Sequence, residues 1–235
     1  MKKITYASLI LFILTSCSSE NTNNPDDNPP NVIVPATPVV DVEGNVYNTV
    51  NIGSQNWTTK NLNVSKYRNG DVIPQVTDPS QWANMTTGAW CYLHNDTANG
   101  GIYGKLYNWY ALNDPRGLAP LGYHIPSETE WDNLISYSRP VNSSVSAAYY
   151  LKDPSGWVGY DCNNATGFSA LGGGLRGYSG NFIPITQLKM FGTWWSSSQS
   201  NGSQSVCYYM KSSSYSVTKT SEFNYHGYSV RCIRN

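Results

Sequence analysis

The sequence predicts an α+β domain with two short helices, a short irregular antiparallel sheet and long loops. Three observations lead there. The 235 residues include 20 Gly and 13 Pro spread along the chain, so no helix has room to run far. One helix start is written out in full, at Ser127. The stretches with strand character are short and bounded by polar turns.

The helix start is a capping box. In Ser127-Glu128-Thr129-Glu130 the Ser hydroxyl can accept the Glu130 amide while the Glu130 carboxylate reaches back to the Ser127 amide. Trp131, Leu134 and Ile135 then fall on one apolar face. A second helix is expected over Ser144–Lys152. Strands are expected over Asn45–Ile52, Trp57–Leu62, Ala89–Leu93, Thr193–Ser197, Ser205–Lys211 and Gly227–Ile233. The last two alternate with period two across a polar stretch and read as antiparallel neighbours.

The N-terminus has a different character. Lys2-Lys3 precedes the apolar run Ala7–Leu14, which is too short to span a bilayer as a helix and reads as a signal peptide over residues 1–16. Leu14-Thr15-Ser16-Cys17 looks like a bacterial lipobox, which makes Cys17 the acylated first residue of the mature chain. Each buried methylene of an acyl chain contributes about 0.8 kcal/mol, so the expected partner there is a membrane. Residues 17–40 hold five prolines and no aromatic residue and read as a disordered tether, with an edge strand at most over Val32–Val40. The globular domain is expected over 41–235. The expected location is exported and lipid-anchored, in the outer membrane, with the periplasmic and the outward-facing leaflet both open.

Composition narrows the function classes. Charged residues are 13% of the chain, about half the usual 25%. Basic and acidic residues balance at 15 each; without residues 1–16 there are 13 against 15, a net charge of −2. No basic run offers a nucleic-acid footprint. Aromatics are abundant, with 18 Tyr and 8 Trp. Gly172-Gly173-Gly174 lacks the Lys-Ser/Thr of a phosphate loop, and no Gly-x-Ser-x-Gly elbow appears. His94, His124 and His226 have no metal-ligand spacing, and Asn95-Asp96 and Asn113-Asp114 read as turn chemistry. No catalytic residue, cofactor or metal is expected. Besides Cys17 the chain has Cys91, Cys162, Cys207 and Cys232. An even number in an exported protein predicts two disulfides, with three connectivities open.

A set of ordered motifs carries a family resemblance. They are Gly53–Trp57 with Lys60-Asn61-Leu62, Ala89–Tyr92, Tyr103–Ala111, Gly117–Pro120, Gly122–Ser127 leading to Glu130-Trp131, Gly167–Leu171, Trp194–Ser197 and Gly227–Cys232. From Asp41 onward the chain resembles the Fibrobacter succinogenes major paralogous domain. Two departures are Tyr123, where Trp is usual, and Gly172, where Pro is usual. That family is similar in turn to the sulfatase-modifying-factor group, so the resemblance implies a C-type-lectin-like fold. Fold alone does not give function. Cys91 and Cys232 lie in family motifs and Cys162 and Cys207 do not, so the resemblance implies the pairs Cys91–Cys232 and Cys162–Cys207. The closely spaced C-terminal cysteines of formylglycine-generating oxidases are not matched by Cys207 and Cys232, and the sugar-reading calcium triplets of lectins are absent.

Trp57, Trp90, Trp109, Trp131 and Trp194 lie in the motifs and read as core. Trp157, Tyr160, Tyr178 and Phe182 lie in polar, Gly-rich loops, where an exposed ring could stack on a sugar or a partner. They are the candidate ligand-binding residues. The expected function is a non-catalytic binding or adhesion domain for a glycan or protein ligand. The alternatives are a structural cell-envelope protein and, least favoured, an oxidase.

Overall fold

A computed structural model describes residues 35–159 and 161–235. The signal peptide, Cys17, most of the tether and Tyr160 lie outside the described residues. Among the described residues no helix is long and apolar enough to cross a membrane.

The strands, in chain order, are β1 (Pro35–Val40), β2 (Val46–Ile52), β3 (Gln55–Thr58), β4 (Trp90–Cys91), β5 (Leu106–Tyr107), β6 (Tyr123–His124), β7 (Phe191–Asn201), β8 (Gln204–Lys211), β9 (Val217–Phe223) and β10 (Ile233–Arg234). The helices are α1 (Pro79–Ala83), α2 (Ala98–Tyr103), α3 (Trp109–Leu112), α4 (Glu128–Tyr137) and α5 (Ala147–Leu151). The α+β class holds, with antiparallel sheets and short helices. The described residues form five α-helices where two were expected, because α1, α2 and α3 are too short for an apolar periodicity to show. One sheet has the order β1-β2-β3-β10-β6, one is the β4-β5 pair, and one has the order β7-β8-β9. Pro35–Val40, inside the segment read as tether, is the edge strand of the first sheet. It pairs with β2 from Pro35↔Val50 to Val40↔Val46 across an irregularity between Ala36 and Val39.

The capping box forms as expected. Ser127 Oγ accepts the Glu130 amide at 3.3 Å, and Glu130 Oε2 accepts the Ser127 amide at 2.8 Å. His124 Nε2 meets the other Glu130 oxygen at 2.8 Å. Burial opposes ionisation of Glu130, but the Ser127 amide and hydroxyl together with His124 outweigh it and hold the carboxyl below its usual range. Trp131 and Leu134 turn inward. The second expected helix is present but shorter, as α5.

Two expectations are corrected. Ser205–Lys211 does form β8, but its second neighbour is β9, not Gly227–Ile233. In register Ser205 faces Glu222, Cys207 faces Thr220 and Tyr209 faces Thr218. The sequence Val217–Phe223 (VTKTSEF) is polar because β9 is a half-covered edge. Gly227–Ile233 instead threads between elements as single bridges. Gly227 and Arg176 exchange backbone bonds, as do Tyr228 and Tyr107. The Trp195 amide reaches the Ser229 carbonyl, and the Leu62 amide reaches the Val230 carbonyl. Ile233 then pairs with Trp57 of β3 and His124 of β6.

Three apolar clusters fill the interior. The first gathers Tyr67, Tyr107, Trp109, Trp195, Val230 and Cys232. The second gathers Trp57, Trp131, Phe168, Trp194 and Tyr208. The third gathers Trp82, Cys91, Leu93 and Leu106. Successive side chains on a strand point to opposite faces, so Trp194 enters the second cluster and Trp195 the first. Residues Asn31–Asn235 form one compact unit, so all three clusters belong to it.

Four cations are buried in this interior: Lys105, Lys152, Arg176 and Arg231. None of them takes part in the ion pairs found among the described residues. Each is held instead by backbone carbonyls and an aromatic face. Lys105 bonds the Asn63 carbonyl and lies 4.4 Å from the Trp90 ring. Arg176 bonds the carbonyls of Val76, Thr77 and Gly180 at 2.6–2.8 Å, 4.4 Å from Trp82. Arg231 bonds the Thr58, Phe168 and Ser169 carbonyls and Asn61 Oδ1 at 2.7–2.8 Å, 4.5 Å from Phe168. A buried charge is tolerable only when its donors are satisfied, and the ring quadrupole supplies the rest. These cations brace loops that have no ladder of their own.

Candidate functional site

The loop aromatics expected to bind ligand are not gathered into a site. Trp157 is only 8% exposed. Its Nε1 donates to the Ala170 carbonyl at 2.8 Å, and its face carries the Lys152 ammonium at 4.7 Å. It is a core ring that seats a buried cation, and the expectation of a stacking surface at Trp157 is overturned. Phe182 is half-buried against the third cluster, with the Arg176 guanidinium 5.0 Å above it and His94 at 5.2 Å. Both of those rings lie against a buried cation, a partner the loop composition did not reveal. Tyr178 is 70% exposed.

The two expected disulfides are absent. Cys91, Cys162, Cys207 and Cys232 are free thiols. Each proposed pair spans different surroundings. Cys91 sits in the third cluster and Cys232 in the first, while Cys162 only borders the second and Cys207 belongs to the first. Burial raises the Cys91 and Cys232 thiols to about 12 against the pull of Arg176 and Arg231. Cys162 alone of the four is partly exposed. Alkylation of the native protein should therefore modify Cys162 first, and denaturation without reductant should release three more thiols. Mass spectrometry checks this; a denatured protein with fewer than four alkylated sites among these cysteines contradicts it.

A concave face lies elsewhere, on the three-stranded sheet. The register places Phe191 opposite Lys211, Thr193 opposite Tyr209 and Trp195 opposite Cys207. On the other side of β8, Cys207 meets Thr220 and Ser205 meets Glu222. Alternate residues share a face, and this face looks away from the second cluster. With Leu175 and Tyr228 at its margin it encloses about 170 Å³. The Lys211 ammonium stands 5.2 Å from the Tyr209 ring and 5.9 Å from Phe191. The groove thus has two aromatic walls with a cation at one end.

Its other end holds the half-buried Glu222 beside the buried His226. Burial raises the Glu222 carboxyl. His226 Nδ1 lies 2.8 Å from the Tyr228 hydroxyl and 3.6 Å from Glu222 Oε2. Burial drives His226 down to about 4, so at neutral pH the ring is uncharged and makes no ion pair with Glu222. Burial and the Glu222 charge push the Cys207 thiol up, which keeps it protonated. Such a floor offers acceptors, a hydroxyl and flat rings. Phe191, Tyr209, Lys211 and Glu222 were all missed in the sequence, although Phe191-Thr193-Trp195 and Cys207-Tyr209-Lys211 show the period-two pattern that aligns them. Among the described residues no three His, Cys, Asp or Glu side chains converge to hold a metal ion.

No curated protein and no solved structure matches the chain. Residues 50–234 match the Fibrobacter succinogenes major domain. That stretch runs from the middle of β2 to β10 and takes in the β4-β5 and β7-β8-β9 sheets, the first sheet apart from β1 and the start of β2, the buried cations and the groove. The chain therefore belongs to the Fibrobacter succinogenes major domain family.

Proposed function

We propose that this protein is an exported lipoprotein, anchored through Cys17, whose domain binds a glycan or protein ligand without catalysis. The groove on the β7-β8-β9 face is the binding site in this reading. The observation that supports it is the pairing of two aromatic walls, Phe191 and Tyr209, with Lys211 and Glu222 in one hollow. Pockets that bind small ligands combine apolar walls with a few placed polar groups, and ring faces suit the apolar side of a sugar. The meeting of an early strand and the last strand, β3 with β10, supports placing the chain with the C-type-lectin-like folds.

A glycan array probed with the Asn31–Asn235 unit should identify a ligand. Tyr209→Ala should then weaken binding at least tenfold, about 1.4 kcal/mol, with an unchanged circular dichroism spectrum. EDTA should leave binding intact. A Tyr209→Ala variant that binds like the parent would remove the groove from consideration. Fatty-acid labelling of the full chain tests the anchor separately: Cys17→Ser should lose all label.

A further inference from the structure

A second face has a different chemistry. Leu121 is 80% exposed, with Val40 at 52% and Val42 at 49%. All three border one hollow of about 300 Å³ floored by Val64, Leu118 and Pro120. Leu121 also borders a neighbouring hollow of about 180 Å³ between β1 and the Tyr123 and Arg234 side. Single exposed aliphatics are ordinary, but a contiguous patch marks an interaction surface.

Each hollow on this face carries an arginine. Arg68 lines the first hollow and Arg234 the second. The Arg68 guanidinium is fixed by the Ala119 and Tyr123 carbonyls at 3.0 and 3.3 Å. The one acid in the lining, Asp41, is turned to internal work. Its oxygens accept from the Glu43 and Asn45 amides, Asn45 Nδ2 and the Tyr47 hydroxyl at 2.7–3.0 Å. An added β-strand is a poor fit, because Pro35 and Pro38 deprive the β1 edge of donors.

The chain leading from Cys17 ends here. Residues 17–34 run directly into β1, which leads to Val40 and Val42. Fully extended, that stretch reaches at most about 60 Å. A domain held so close meets the bilayer at a high effective concentration, so a weak contact suffices.

We propose that this face docks on an anionic lipid bilayer. Leu121, Val40 and Val42 enter the headgroup boundary, and Arg68 and Arg234 face the lipid phosphates. One acyl-type anchor and one surface patch then act together, as stable membrane attachment commonly requires. The role of the tether rests on the Cys17 anchor; the docking face does not, and it can be tested without the anchor.

The test uses the Asn31–Asn235 unit, which lacks Cys17, in co-sedimentation with vesicles. Phosphatidylglycerol–phosphatidylcholine vesicles are compared with phosphatidylcholine alone. The unit should pellet with the anionic vesicles, and less so as salt rises. Leu121→Asp should reduce the bound fraction at least tenfold, and Arg234→Gln should reduce it severalfold, both with unchanged thermal unfolding. A unit that stays in the supernatant at all lipid concentrations overturns the proposal. So does Leu121→Asp binding like the parent, or a lipid-free dimer that Leu121→Asp converts to monomer. Failure of fatty-acid labelling at Cys17 would remove the anchor and leave the vesicle result standing.

Discussion

Arg231→Ala should cost the domain more than about 4 kcal/mol and leave it largely insoluble. The guanidinium is fully buried and satisfies three carbonyls, those of Thr58, Phe168 and Ser169, besides Asn61 Oδ1. Burial lowers its pKa only to about 9, so it is charged at neutral pH. Each acceptor left without a donor costs about 1–3 kcal/mol, and the Phe168 ring loses its cation as well. Asn61 suffers least, because Trp194 Nε1 still donates to it at 2.9 Å. Total stabilities are about 5–15 kcal/mol, so the loss consumes much of the margin. Arg231→Lys keeps the charge but presents one nitrogen in place of a planar fork, and should recover part of the stability. Urea midpoints and soluble yield measure both. An Arg231→Ala protein as stable as the parent would mean that water replaces the guanidinium.

Trp131→Ala should destabilise by about 3–5 kcal/mol. Trp131 has no exposed surface and is ringed by aromatics. It stacks on Tyr208 at 5.0 Å, and Trp57 and Phe168 lie at 5.2 and 5.9 Å. The removed indole leaves a cavity that three rigid rings cannot close. For a domain of this size the melting temperature falls about 2–4 °C per kcal/mol, so a drop of about 6–20 °C is expected. Trp131→Phe should cost far less, because Trp131 Nε1 has no hydrogen-bond partner to lose. A scanning calorimetry series of Trp, Phe and Ala at this position separates volume from polarity. Equal losses for Phe and Ala would show that the indole, not its volume, matters.

The capping box at Ser127 was legible because every part of it is local: a hydroxyl, a carboxylate three residues on, and an apolar face at helical spacing. β7 and β8 were legible for the same reason. β9 was not, because an edge strand with two half-wet faces has no apolar pattern to show. Gly227–Ile233 looked like a strand because its alternation is genuine, yet its bonds go in turn to Arg176, Tyr107, Trp195, Leu62, β3 and β6. The fate of Trp157 and Phe182 was hidden by their partners. Nothing in a Gly-rich loop announces that Lys152 or Arg176, distant in space from solvent, will take the ring face. The groove was hidden because Phe191, Tyr209 and Glu222 come from three strands and meet only through register.

The path of the last residues has a consequence for synthesis. Ile233 is the partner of Trp57, and Arg231 bonds the Thr58 carbonyl, so the final few positions close a sheet begun 170 or more residues earlier. Contacts that far apart in sequence make folding slow. A chain made from its N-terminus lacks a complete interior until residues 231–233 are free to reach β3, so deletion of residues 226–235 removes the closing stitch.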